Sequence, residues 1–144
     1  MAAFNKFNQF VQDVASGVHQ MQTGTTHVFK VALTNTAPVA TNTVLANITE
    51  ITAGTGYTAG GISGGTVTGS QTTGTFKFTL GTDPVWTATG SMGPLRYAVL
   101  YNDTPTSPLT PLIGWWDYGS SVTLATGETF TVDLDQTNGV LTIA

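Results

Sequence analysis

Residues 95–118, LRYAVLYNDTPTSPLTPLIGWWDY, set two apolar runs on either side of a proline-containing loop, and this stretch restricts the fold more than any other. In extended chain, successive side chains point to opposite faces. Leu95, Tyr97, Val99 and Tyr101 then share one face of the first run, and Arg96, Ala98 and Leu100 share the other. Neither face is polar, so the strand is expected to be covered on both sides. The second run alternates Leu112, Gly114, Trp116 and Tyr118 against Ile113, Trp115 and Asp117. Closed as a hairpin with Asn102 opposite Pro111 and a loop over 103–110, the runs bring Arg96 to Asp117, Tyr97 to Trp116, Ala98 to Trp115 and Val99 to Gly114. The charges coincide and large side chains meet small ones, which favours this register. In a jelly roll the two runs could instead lie in different sheets, with the loop crossing between them. Arg96, Tyr97, Val99, Trp115, Trp116 and Asp117 are the expected structural core.

Around this centre the chain reads as short strands. The expected strands are 26–34, 75–80, 85–89, 112–118, 122–124, 129–134 and 140–143, separated by Gly, Pro, Asn and Asp turns. Asn138-Gly139 marks the last two as a hairpin, because that dipeptide readily supplies two positive φ angles. Residues 41–51 suggest one helical turn, and the Gly/Thr-rich segment 53–74 reads as a surface arm or long loop around a possible strand at 62–68. Near the start, Phe4, Phe7, Val11, Val14 and Val18 recur at helical spacing, predicting a helix over about 3–16 with a buried apolar face. Phe4, Phe7, Val11 and Val14 are the candidate interaction residues if that face docks on another subunit. The fold class is all-β, a β-sandwich or jelly roll with one short N-terminal helix, in one domain spanning 1–144.

Composition narrows the function. Only 8% of the residues are charged, against about 25% in a typical soluble domain, and four basic residues with eight acids give a net charge of −4. No basic stripe exists to neutralise phosphates, so direct nucleic-acid binding is not expected. There is no cysteine, and no run is long and apolar enough to span a membrane. The start lacks the basic and apolar regions of a signal peptide, so the chain is expected to be used without that export route. His19 and His27 sit in no nucleophile motif, and no serine occupies a G-x-S-x-G elbow. Two histidines make a poor zinc set, and Asp133, Asp135, Asn138 and Gly139 lack the spacing and the final glutamate of a calcium loop. The glycines of GTGYTAGGISGG are not followed by the Lys-Ser/Thr of a phosphate loop. Trp115 and Trp116, adjacent on a strand, face opposite ways and cannot form one flat platform for a sugar ring. No catalytic residues, metal or cofactor are expected.

The segments FNKFNQFVQDVASGVH, KVALTNTAPVATNTVLANITEI, GYTAGG, RYAVLYND and PLIGWWDYGSSVTL, in that order, resemble a family of small virion proteins of tailed phages and prophages. The resemblance covers most of the chain, and its nearest role is that of a capsid cement, or head decoration, protein. It implies a β-sandwich or jelly roll on the outer face of the capsid, made in the host cytoplasm. The implied partners are the major capsid protein and further copies of the chain, as a dimer or trimer. A tail or neck component is the alternative, and a glycan- or receptor-binding module comes third. An acidic protein with few basic residues suits the outer wall better than the DNA-facing one.

Overall fold

The computed structural model describes residues 2–144. In chain order its elements are β1 (Asn5–Lys6), helix α1 (Asn8–Ala15), β2 (Phe29–Thr34), a 3-10 turn at Leu45–Asn47, β3 (Ile62–Ser63), β4 (Val67–Thr72), β5 (Thr75–Leu80), β6 (Val85–Thr87), β7 (Met92–Asn102), β8 (Leu112–Leu124), β9 (Thr129–Thr131) and β10 (Leu141–Ile143). The two apolar runs are β7 and β8, an antiparallel hairpin inside a five-stranded sheet ordered β1-β8-β7-β2-β3. A three-stranded sheet, β10-β5-β4, and a two-stranded sheet, β6-β9, form the facing layer. The class is all-β, sandwich-like, with one short helix.

The central sheet is covered on both faces, as its non-polar alternation requires. On one face Phe29, Val31 and Leu33 of β2, with Ala98 and Leu100 of β7, join a core that includes Phe78 and Leu80 of β5 and Trp86 of β6. The Phe29 and Phe78 rings meet edge-on at 4.9 Å. On the other face Ala32, Val99, Tyr101 and Leu112 are buried under Phe7, with Leu45, Ile48 and Trp115 packed against them. The cover on this side is the 35–51 connection, whose one helical turn is the 3-10 turn.

The hairpin forms, but its register departs from the expected one. At the loop, the Asn102 amide donates to the Pro111 carbonyl at 3.0 Å, as expected. Tyr101 then pairs with Leu112 while Leu100 pairs with Gly114, which leaves Ile113 as an extra residue in β8. Beyond this bulge the pairs are Val99 with Trp115, Ala98 with Trp116 and Tyr97 with Asp117, each shifted by one from the expected partner. An inserted residue also exchanges faces. Leu112 and Trp115 therefore lie in one core cluster, and Ile113 and Trp116 in the other. A second irregularity, between Tyr97–Asp117 and Leu95–Val122, carries β8 straight through the expected turn at 119–121.

The N-terminal segment differs from the predicted single helix. Phe7 is extended at φ −73° and ψ 147° and caps a helix that begins only at Asn8. Residues 5–6 instead pair with Trp115 and Gly114 along the edge of β8. Phe4 thus precedes the strand and Phe7 caps the helix, and the helical spacing does not run through them. Phe7 is fully buried, Phe4, Val14 and Val18 are half-buried, and Val11 is 55% exposed, so the predicted buried face is corrected at Val11; Phe10 takes the inward position. Gly114 makes the strap possible, because a β-carbon there would collide with the Phe4 ring and the Asn5 carbonyl.

Two further expectations are overturned. The segment 53–74 is no free arm: β3 pairs with β2, and β4 forms a hairpin with β5. Gly61, at φ +71°, lies so close to the Val31 carbonyl that a β-carbon would clash, which lets β3 dock on β2. The β4–β5 turn is Thr73-Gly74, both residues with positive φ, the geometry a two-residue hairpin turn requires. The expected 129–134 and 140–143 hairpin does not form. β9 pairs with β6 and β10 with β5, while the Asp135 carboxylate accepts from the Thr137 and Asn138 amides and folds the link into a local turn.

Phe7→Ala removes a fully buried ring that lies 4.5 Å from Trp115, and unfolding in denaturant should report a loss of roughly 3–5 kcal/mol. Gly114→Ala should cost about 1–3 kcal/mol by forcing the Phe4 ring outward, and pairing it with Phe4→Ala should recover less than additive damage in a double-mutant cycle. Additive costs would place Phe4 outside the Gly114 contact.

Candidate interaction surface

Helix α1 is eight residues long, too short to persist alone in water, and it holds its place by burying Phe10 and Asp13. Its remaining apolar residues face a groove. Lys6, Phe10, Val11, Val14 and Ala15 line one cavity of about 360 Å³ with Thr142 and Ile143 of β10. An adjoining cavity of about 550 Å³ shares Lys6, Phe10 and Thr142 and extends past Phe4 to residues 138–141. Three of the four candidate interaction residues, Phe4, Val11 and Val14, therefore meet along this groove. Phe7 does not, since it is part of the core on the other face.

The groove is lined by one basic residue, Lys6, and by the C-terminal Ala144. Lys30 pairs with Asp103 at 2.7 Å, Arg96 with Asp117, and Lys77 donates to the Thr137 carbonyl at 2.9 Å. Among the described residues the Lys6 ammonium has no such partner.

The six residues expected to form the structural core divide between interior and surface. Val99 and Trp116 are buried, whereas Tyr97, Trp115, Arg96 and Asp117 are half-buried. Arg96 and Asp117 form a two-pronged pair, Nε to Oδ1 at 2.8 Å and Nη2 to Oδ2 at 2.9 Å, although Asp117 is opposite Tyr97 in the ladder. The irregular pairing next to Arg96 and the reach of its side chain close the gap. The Arg96 hydrogen bonds, with the Gly119 amide, hold the Asp117 carboxyl below the usual carboxylate range. Trp115 and Trp116 lie in opposite core clusters. Beside the ion pair, Trp116, Tyr118 and Phe130 line a hollow of about 170 Å³, but Tyr118 and Phe130 meet edge-on at 72° and offer no flat platform.

A polar cluster that sequence reading did not assemble ties α1 to β7. The fully buried Asn102 presents its side-chain nitrogen to Nδ1 of His27 at 2.8 Å and to Nδ1 of His19 at 3.3 Å. As the amide donates, both rings are assigned their proton on Nε2. Nε2 of His19 faces Oδ2 of Asp13 at 4.0 Å, beyond hydrogen-bond reach, and both atoms are buried without a partner. Gln9 donates to the other Asp13 oxygen at 3.0 Å. The only sequence signal was that the two histidines lie within eight residues of each other; their meeting at Asn102 depends on the end of β7. No three His, Asp or Glu side chains converge as metal ligands among the described residues.

Burial pushes His19 down to about 4, with the Asp13 carboxylate pulling upward and His27 adding a smaller downward push. An unfolded chain binds this proton near the ordinary 6.5. The folded state thus binds fewer protons than the unfolded state between these values. This contribution is complete above pH 6.5 and is lost as pH falls toward 4, by about 3 kcal/mol in all. Denaturant unfolding of the parent and His19→Gln across that range should show the parent alone losing this increment; parallel profiles would refute it. Comparison with family models, curated proteins and solved structures gives no match for this chain.

Proposed function

We propose that this chain is a structural protein of a tailed-phage virion, a capsid cement protein that binds the outer face of the head and clamps neighbouring major capsid subunits. The reading rests on the ordered motifs that resemble such virion proteins. What supports it is where those motifs lie. The segments 4–19, 30–51, 56–61, 96–103 and 111–124 carry β1, α1, β2, the 3-10 turn, most of β7 and β8, which are four of the five strands of the central sheet and the cover over Val99 and Tyr101. The resemblance therefore follows one contiguous part of the fold rather than scattered loops.

The surface chemistry fits a clamp. With 8% charged residues and a net charge of −4, the protein offers polar, nearly neutral contacts and little attraction for packaged DNA. Cementing works by repetition: an interface of about 1,000 Å² per copy, multiplied over a shell, opposes expansion by the enclosed genome. Such interfaces can be polar and wet.

Imaging of native particles tests this directly. A cement protein recurs over the whole shell with the head's symmetry, whereas density confined to one vertex or to the tail would replace this reading with that of a neck or tail component. Attachment should also weaken little with added salt, because few charges face the partner. A steep loss of particle-bound protein between low and moderate salt would contradict the uncharged interface.

A further inference from the structure

We infer that Asn138 is a site of spontaneous deamidation, that the turn built by Asp135 holds the reaction in check, and that conversion loosens β10 from β5. The inference is independent of the virion reading.

Of the seven asparagines, only Asn138 precedes a glycine. Glycine carries no side chain to hinder its own amide nitrogen, and its free main chain can bring that nitrogen to the neighbouring carboxamide. The reaction needs no partner but water. The Gly139 nitrogen bonds to Cγ of Asn138, the Cγ–Nδ2 bond breaks, and Nδ2 leaves as ammonia with the proton that Gly139 gives up. Water then opens the resulting succinimide at either carbonyl. Opening at Cγ restores the peptide as aspartate. Opening at the Asn138 main-chain carbonyl leaves isoaspartate, whose chain runs on through Cβ and Cγ.

The fold ties both reacting groups to one residue. Asn138 is exposed, so water reaches it. The nucleophile, the Gly139 amide, donates to the Asp135 carbonyl at 2.9 Å. The leaving group, Nδ2 of Asn138, donates to Oδ2 of Asp135 at 2.9 Å, while the Asn138 and Thr137 amides donate to Oδ1 at 2.7 and 3.0 Å. Gly139 must release its bond and swing onto Cγ before it can react. The rate therefore follows how often the turn opens.

The same turn lies between two anchors on β5. Lys77 donates to the Thr137 carbonyl at 2.9 Å, and the Val140 amide donates to the Phe78 carbonyl at 2.8 Å. Both products lose the Nδ2 donor and gain a carboxylate beside that of Asp135, a like charge where a donor stood. Isoaspartate also lengthens the main chain between the anchors by about 1.5 Å. Since β10 is three residues long at the edge of its sheet, few other hydrogen bonds resist the change.

The test follows deamidation of the full chain, folded and denatured, over weeks at neutral pH by mass spectrometry of the peptide spanning 136–140. Asn138 should convert about tenfold faster in the denatured chain, ahead of the other six asparagines in both states. The folded-to-denatured ratio should match the protection of the Gly139 amide against hydrogen exchange, because both report the same opening. Asp135→Ala should raise the folded rate several-fold. Equal folded rates in the parent and Asp135→Ala, or a ratio unrelated to Gly139 protection, would overturn the role of the turn; a denatured chain in which Asn138 does not lead would overturn the site. Asn138→Asp reproduces one product directly. In it the amides of 140–143 should exchange about tenfold faster than in the parent, while those of 97–101 in β7 keep their rates. Unchanged exchange at 140–143, or equal acceleration in β7, would overturn the selective loosening of β10.

Discussion

The pairing of β7 with β8 is the contact on which the other elements depend. These are the longest strands, and β7 is the middle of the five-stranded sheet, with buried side chains on both faces. Removing apolar area from water on two sides of one strand gives a small domain most of its driving force. It also obliges the chain to supply two covers. The second layer, β4, β5, β6, β9 and β10, is one; the 35–51 connection with its 3-10 turn and Phe7 is the other. A single bulge at Ile113 decides which residues each cover meets.

The N-terminal segment closes the side of the sandwich beside β8. Phe4 rests over Gly114 and meets the Trp116 ring at 5.3 Å, tilted by 59°, while Phe7 reaches the opposite face of the same sheet. Consecutive stretches of a short strap therefore fasten both cores. The helix that follows is left with only part of its apolar surface covered, and that exposed remainder forms the groove with β10. Thus the groove is a consequence of how the edge of β8 is covered, and its chemistry is set by β1 and α1 together with β10, which is distant from both in sequence.

The buried cluster at Asn102 introduces a constraint of a different kind. Buried polar atoms without partners cost stability, and here Asp13 and His19 each leave one. The cluster also links α1, the connection after it and the end of β7 through side chains that hold their hydrogen bonds only while His19 stays neutral. The positioning of the N-terminal region therefore depends on proton binding as well as on packing.

The period-two alternation of 95–101 and 112–118 determined that two covered strands exist, since local periodicity records on which sides a segment is buried. The proline-containing loop between them determined their pairing, and Arg96 and Asp117 found each other despite the shifted register. The 129–134 and 140–143 strands were equally legible, but not their partners: β9 turned to β6 and β10 to β5, a choice made by the packing of the second layer. Likewise no local pattern marks Ile113 as an extra residue, because a bulge changes register without changing composition. Phe4 and Phe7 mimic helical spacing, and only the open edge of β8 with Gly114 beneath it draws them into extended chain. The candidate groove was half readable, as an apolar N-terminal stripe. Its other wall, β10, and the isolation of Lys6 arise from tertiary placement, because burial and charge pairing are decided between segments that the sequence keeps far apart.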